Sequence, residues 1–122
     1  RCTFTGRIDY QHEAPGLLGM ADVAVSPKMS ETEGAGKILN YMATGLPTVT
    51  FEGQVSREFL GTLGVYAPRG DVEALAEGML RLAADATQRA RIGQALRRRA
   101  EERFSWEQAG RTLLQVYASL VR

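Results

Sequence analysis

The residue types that could do chemistry crowd into one stretch, Pro27 to Pro47, reading PKMSETEGAGKILNYMATGLP. Two carboxylates, Glu31 and Glu33, precede two glycines, Gly34 and Gly36, which are followed by Lys37 and Asn40. Glycines lack Cβ, so at a helix start the backbone N–H groups can approach an anion closely, with the positive end of the helix dipole behind them. A phosphate or a sugar hydroxyl can be held by such a turn. A helix begun at Gly36 and rotated about 100° per residue puts Lys37, Asn40, Tyr41 and Thr44 on one face, with Ile38, Leu39, Met42 and Ala43 opposite. Gly45 then ends the helix as a C′ residue and Pro47 prevents its continuation. The carboxylates also admit a plainer role, as solvated loop groups that stabilise a helix N-terminus by ~0.3–1 kcal/mol each. Spacing excludes two phosphate loops. Gly36-Lys37 lacks the earlier Gly and the following Ser or Thr of a Walker A loop, and Leu39 stands where the dinucleotide fingerprint needs its third glycine.

This stretch must be positioned by a scaffold, and the flanking pattern describes one. Short β-like runs, Thr3 to Thr5, Val23 to Ser26, Thr48 to Phe51 and Val65 to Ala67, alternate with helical segments near His12 to Met20, Gly36 to Thr44 and Val55 to Leu63. Mostly apolar or β-branched strands without polar alternation are those covered by helices on both faces, so an α/β fold with a parallel sheet is predicted. After Pro68 the pattern is all helical. Asp71 is an N-cap, and Val72, Leu75, Ala76, Met79, Leu80 and Ala83 form the face expected to pack on the sheet. Ala86 to Phe104 is a second helix, whose Arg97, Arg98 and Arg99 read as a solvated face. Ser105 with Gln108 forms a capping box that opens a third helix, with an apolar stripe of Ala109, Leu113, Val116, Tyr117 and Leu120.

Composition narrows the function classes. With 122 residues, 44% of them hydrophobic and 7% aromatic, the chain fits one aliphatic core. Fifteen basic against fourteen acidic residues leave a formal charge of +1, so no global field favours nucleic acid or an anionic membrane. The single cysteine, Cys2, cannot close an intrachain disulfide, and with one histidine, His12, a zinc-finger site cannot be assembled. A reducing, cytoplasmic compartment is expected, and no metal.

Asp22-Val23-Ala24-Val25-Ser26-Pro27, then Glu33-Gly34, then Asn40-Tyr41-Met42-Ala43-Thr44-Gly45-Leu46-Pro47-Thr48-Val49 resemble the donor-site signature of the retaining group 1 glycosyltransferases of GT-B fold. Phe4-Thr5-Gly6 resembles the strand before the nucleotide-base loop, and Phe104-Ser105-Trp106 the start of the closing helix. The resemblance implies a partial Rossmann-like C-terminal domain that holds a nucleotide-sugar. A sugar or lipid acceptor would be bound by an N-terminal domain, at the inner face of the membrane in the full-length enzyme. It implies that Glu33 contacts the donor sugar and stabilises positive charge at the anomeric carbon, with Glu31 a rival for that position. The second Glu of the family's Glu-seven-residues-Glu motif falls on Asn40, one residue early, and an amide cannot supply a carboxylate's charge-assisted bond. Gly6, Arg7 and Ile8 match a loop that meets the base, and Gly34, Ala35, Gly36 and Lys37 match the turn beside the diphosphate and sugar.

The family also carries, on two strands corresponding to positions before Arg1, a basic pair that neutralises the leaving diphosphate. The chain therefore reads as a fragment, inactive alone, in which Lys37 is the nearest substitute. In a sheet of order 3-2-1-4-5-6 the run Thr3 to Thr5 would be the third strand and the later three the fourth to sixth, so that with the intervening strands absent the run is either forced beside Val23 to Ser26 or left at a poorly supported edge. Two other readings share the fold: a non-catalytic module that holds a nucleotide-sugar or a partner subunit, and a nucleotide-sugar epimerase, to which the lone His12 lends little acid–base support.

Overall fold

A computed structural model describes residues 1–121. Helix α1 (Ala14–Gly19) leads to strand β1 (Ala24–Ser26), helix α2 (Gly36–Ala43), strand β2 (Thr48–Phe51) and helix α3 (Gln54–Leu60). A 3-10 turn (Gly61–Leu63), strand β3 (Val65–Ala67) and helices α4 (Val72–Ala84), α5 (Ala86–Arg103) and α6 (Trp106–Leu120) complete the chain. The three strands form one parallel sheet of order β1-β2-β3, with Val25 opposite Val49 and Val49 opposite Val65. Every residue of β2 is buried, as a central strand covered on both faces requires. The fold is the expected α/β class, a partial Rossmann-like sheet with flanking helices and a helical C-terminal part.

Helices α2 and α3 and helices α4 and α5 enclose a core in which Ile38, Met42, Val49, Leu60, Leu82 and Leu96 are almost fully buried. Each such side chain contributes roughly 1.5–3 kcal/mol through the area it removes from water. The buried threonines of β2 keep their hydroxyls bonded, Thr48 Oγ1 to Leu46 O at 3.1 Å and Thr50 Oγ1 to Ser26 O at 2.9 Å. The caps fall where the sequence puts them: the Asp71 carboxylate accepts from Ala74 N at 2.9 Å, and Ser105 Oγ from Gln108 N at 3.2 Å.

Five expectations need correction. Thr3 to Thr5 is not a strand; it pairs with nothing among the described residues, and Phe4 is 94% exposed, so the run has neither ladder bonds nor burial to hold it extended in a sheet. The first helix starts at Ala14 rather than His12, because the Asp9 carboxylate accepts from the N–H groups of Gln11 and His12 and holds that segment as a turn. The third helix stops at Leu60, where Gly61 takes a positive φ of 58° and the chain tightens into the 3-10 turn.

The fourth correction concerns α4, which buries Leu75, Gly78 and Leu82 and leaves Val72, Ala76, Met79, Leu80 and Ala83 exposed. Its inward face is rotated toward Gly78, where an added Cβ would lie 2.9 Å from Val49 Cγ1 and 3.0 Å from Val65 Cγ1. Close approach of the helix backbone to the sheet decides the face, not the largest side chains. The apolar stripe of α6 is likewise exposed, with no residue of that helix buried.

Arg99 corrects the reading of the Arg97–Arg99 run as wholly solvated. Its guanidinium donates to Phe59 O at 2.6 Å and Glu58 O at 2.9 Å, satisfying carbonyls at the end of α3. Arg97 pairs with Glu101 on the surface at 3.1 Å.

Candidate functional site

The loop from Pro27 to Ala35 leaves the C-terminal end of β1 and delivers the chain to the N-terminus of α2. Lys28, absent from the candidates read in the sequence, organises it. Its half-buried ammonium donates to the carbonyl of Glu33 and, at 2.7 Å, to that of Gly34, and lies 4.0 Å from a carboxylate oxygen of Glu33. In a trans peptide the C=O and the following N–H point in opposite directions. Two carbonyls turned toward Lys28 therefore turn the N–H groups of Gly34 and Ala35 away from it, and Gly36 and Lys37 follow as the first residues of α2, whose N–H groups have no intrahelical acceptors. A Cβ added at Gly34 or Gly36 would meet nothing within 4 Å, so these glycines face open space rather than a packed neighbour.

The two carboxylates differ in company. Glu31 forms an ion pair with Arg69, in the turn after β3, whereas Glu33 is 77% exposed and its one ion pair among the described residues is the 4.0 Å contact with Lys28. Behind the loop, on the sheet side, Ser26, Lys28, Glu33, Ile38, Phe51 and Arg69 help to line a cavity of about 30 Å³, room for water and not for a sugar. The Oγ of Ser26 in that cavity has no hydrogen-bond partner among the described residues.

Two larger spaces lie on the other side of α2. Grooves of about 520 and 440 Å³ adjoin there and share Tyr10, Asn40 and Ala43 as lining residues. Cavities of roughly 300–1,000 Å³ are those that hold small ligands. Gly36, Leu39, Phe104, Ser105 and Trp106 line the first groove, and Gln11, Ala14, Leu18 and Thr44 the second. The helix presents its faces largely as expected: Ile38 and Met42 are buried, Lys37 is exposed, and Asn40, Tyr41 and Thr44 are half-buried. Burial pushes the Tyr41 hydroxyl above its usual range. Leu39, expected in the core with Ile38 and Met42, is only half-buried, and Ala43, on the same face, is exposed where it lines both grooves.

The remaining candidates lie in the N-terminal loop. Gly6 adopts a positive φ of 68°, Arg7 is exposed and Ile8 half-buried. The next residue, Asp9, is held below the usual carboxylate range by the backbone N–H of His12 first, then by His12's ring and the N–H of Gln11. This turn carries Tyr10 to α2, where its hydroxyl donates to Asn40 Oδ1 at 2.8 Å. The base-loop candidates and Asn40 are thus tied together through Tyr10. Neither Lys28, Arg69 nor Tyr10 is marked by local spacing; only Lys28, placed directly after the strand-ending Pro27, carries a sequence cue.

A parallel sheet, a glycine-flanked loop at the end of its edge strand and a groove of ligand size along the following helix are the features of a partial Rossmann-like α/β domain. The family described as "Glycosyl transferases group 1" matches residues 1–85, and the chain belongs to it. It is also similar to the GDP-mannose-dependent monoacylated alpha-(1-6)-phosphatidylinositol monomannoside mannosyltransferase of Corynebacterium glutamicum, 29% identical over 123 residues. That similarity covers 95% of this chain and 32% of the relative, so the chain spans about a third of the relative's length. No helix among the described residues is long and apolar enough to cross a membrane.

Proposed function

We propose that these residues are the donor-binding part of a retaining glycosyltransferase of GT-B fold that transfers a sugar from a nucleotide-sugar without a metal ion. One observation carries the reading: the family match over residues 1–85 contains the whole β1–loop–α2–β2 unit, with Glu33, Gly34 to Lys37 and Asn40 in the order of the donor-site signature. In this reading the outward N–H groups of Gly34, Ala35, Gly36 and Lys37 receive the diphosphate and sugar oxygens, reinforced by the dipole of α2. Lys37 adds the cationic charge. Glu33, the less paired of the two carboxylates, lies against the donor sugar and stabilises the positive charge that develops at the anomeric carbon as the nucleotide diphosphate departs. Glu31, engaged by Arg69, fixes the loop. Gly6, Arg7 and Ile8 meet the base, and Asn40 the ribose.

The name of the Corynebacterium relative, a GDP-mannose-dependent mannosyltransferase acting on a phosphatidylinositol mannoside, supports a mannosyl donor carried on GDP and a lipid acceptor. The acceptor domain belongs to the larger part of such a protein, so the present residues hold the donor without completing transfer. Incubating the full-length protein with GDP-mannose, GDP-glucose, UDP-glucose and UDP-N-acetylglucosamine, with and without a lipid acceptor and with a chelator throughout, tests the proposal. Release of nucleotide diphosphate from one donor, and a product with the donor's anomeric configuration, is the expected result. Binding without release would instead support a non-catalytic module, a reading favoured by the amide of Asn40 where the family pattern has a carboxylate.

A further inference from the structure

Tyr10 combines features that packing does not explain. Its side chain is 67% exposed, it stands in a loop 30 residues from its partner, and its hydroxyl is nevertheless committed to Asn40 Oδ1 at 2.8 Å. Both residues line both grooves beside α2. A carboxylate at the position of Asn40 would offer acceptor oxygens to both hydroxyls of a vicinal diol, whereas an amide offers one oxygen and two N–H donors. The Tyr10 hydroxyl supplies what the amide lacks. With its proton given to Oδ1 it keeps its oxygen lone pairs as acceptors, while Asn40 keeps the second lone pair of Oδ1 and the Nδ2 donors.

We infer that Tyr10 and Asn40 form one composite acceptor pair that recognises the ribose diol of the donor nucleotide, so that Tyr10 is a specificity-determining residue of the site. The inference rests on the nucleotide-sugar reading and adds to it a residue outside the donor-site signature. Tyr10 touches the ribose rather than the reacting atoms, so its loss acts on affinity and on discrimination between sugars. The two partners act as a unit: removing the Tyr10 hydroxyl frees Oδ1 but takes away the second acceptor.

The test measures binding of GDP, UDP and ADP, and of their 2′-deoxy and 3′-deoxy forms, to the full-length protein by calorimetry. The wild-type protein is expected to prefer the ribose form of its best nucleotide over at least one deoxy form by about tenfold, the worth of one hydrogen bond. Tyr10→Phe keeps the ring and the thermal transition, and should bring that preference close to one. Tyr10→Phe combined with Asn40→Glu should restore it, because a carboxylate accepts from both hydroxyls alone. A full ribose preference retained in Tyr10→Phe would overturn the inference, as would a wild-type protein indifferent to the deoxy forms. A wild-type protein that binds none of the nucleotides would remove the donor reading itself, and this inference with it.

Discussion

Glycine serves opposite purposes at the two ends of helix α2. At its start, Gly34 and Gly36 have negative φ and open space where a Cβ would stand, so nothing within the described chain requires them to be glycine. Beyond its end, Gly45 turns the chain at a φ of 72°, and Gly93 of α5 packs so close to it that an added Cβ would collide with the Gly45 carbonyl oxygen. The second pair is dictated by the fold. The fold leaves the first pair unconstrained, and under the proposed donor site a ligand's oxygen atoms approaching the backbone would account for it. The same contrast separates the arginines: Arg99 is spent on the carbonyls of α3, while Arg69 holds the loop that carries the candidate carboxylates.

Substitutions can break or sharpen this comparison. Gly93→Ala should have the largest effect on stability, about 3 kcal/mol or more, because backbone meets backbone and α5 must move away from the α2–β2 turn. Urea denaturation measures it, and a loss below about 1 kcal/mol would mean that the contact relaxes freely. Arg99→Met keeps the apolar stem but leaves two carbonyls unpaired, and should cost about 2 kcal/mol by the same measurement. Gly45→Ala, strained in the left-handed region but with its nearest foreign atom at 3.5 Å, should cost about 1 kcal/mol. At the other end of α2, Gly36→Ala should leave stability within about 0.5 kcal/mol of wild type, or raise it slightly through helix propensity. Its effect belongs to nucleotide-sugar affinity, and calorimetry showing undiminished affinity would return Gly36 to an ordinary loop role.

How far the sequence reveals the molecule differs between the same regions. Strands β2 and β3 and the caps Asp71 and Ser105 are legible because they depend on neighbours in the chain: β-branched runs between turn residues, and a polar oxygen three residues before an N–H. The inward face of α4 is not, because the decisive contact is Gly78 against Val49 and Val65, and hydrophobic periodicity gives a glycine no weight. Thr3 to Thr5 has strand-like composition, but a strand also needs a partner, and none of the described strands pairs with it. At the site, the loop-helix unit and its two-sided helix could be read in advance, down to the exposure of Lys37 and the burial of Ile38 and Met42. The groups that fix the geometry could not, since Arg69 reaches Glu31 across 38 residues and Tyr10 reaches Asn40 across 30.

The donor-site account turns on which carboxylate stands free, and steady-state turnover of the full-length enzyme decides it. Glu33→Gln removes a charge from an exposed loop position, so the fold and its thermal transition should be unchanged, while kcat falls by roughly 10²–10³-fold through the loss of transition-state charge stabilisation. Glu31→Gln, which only weakens the tie to Arg69, should lower kcat far less. Unchanged turnover in Glu33→Gln would contradict the account, and a large loss confined to Glu31→Gln would move the catalytic role to the carboxylate that Arg69 holds.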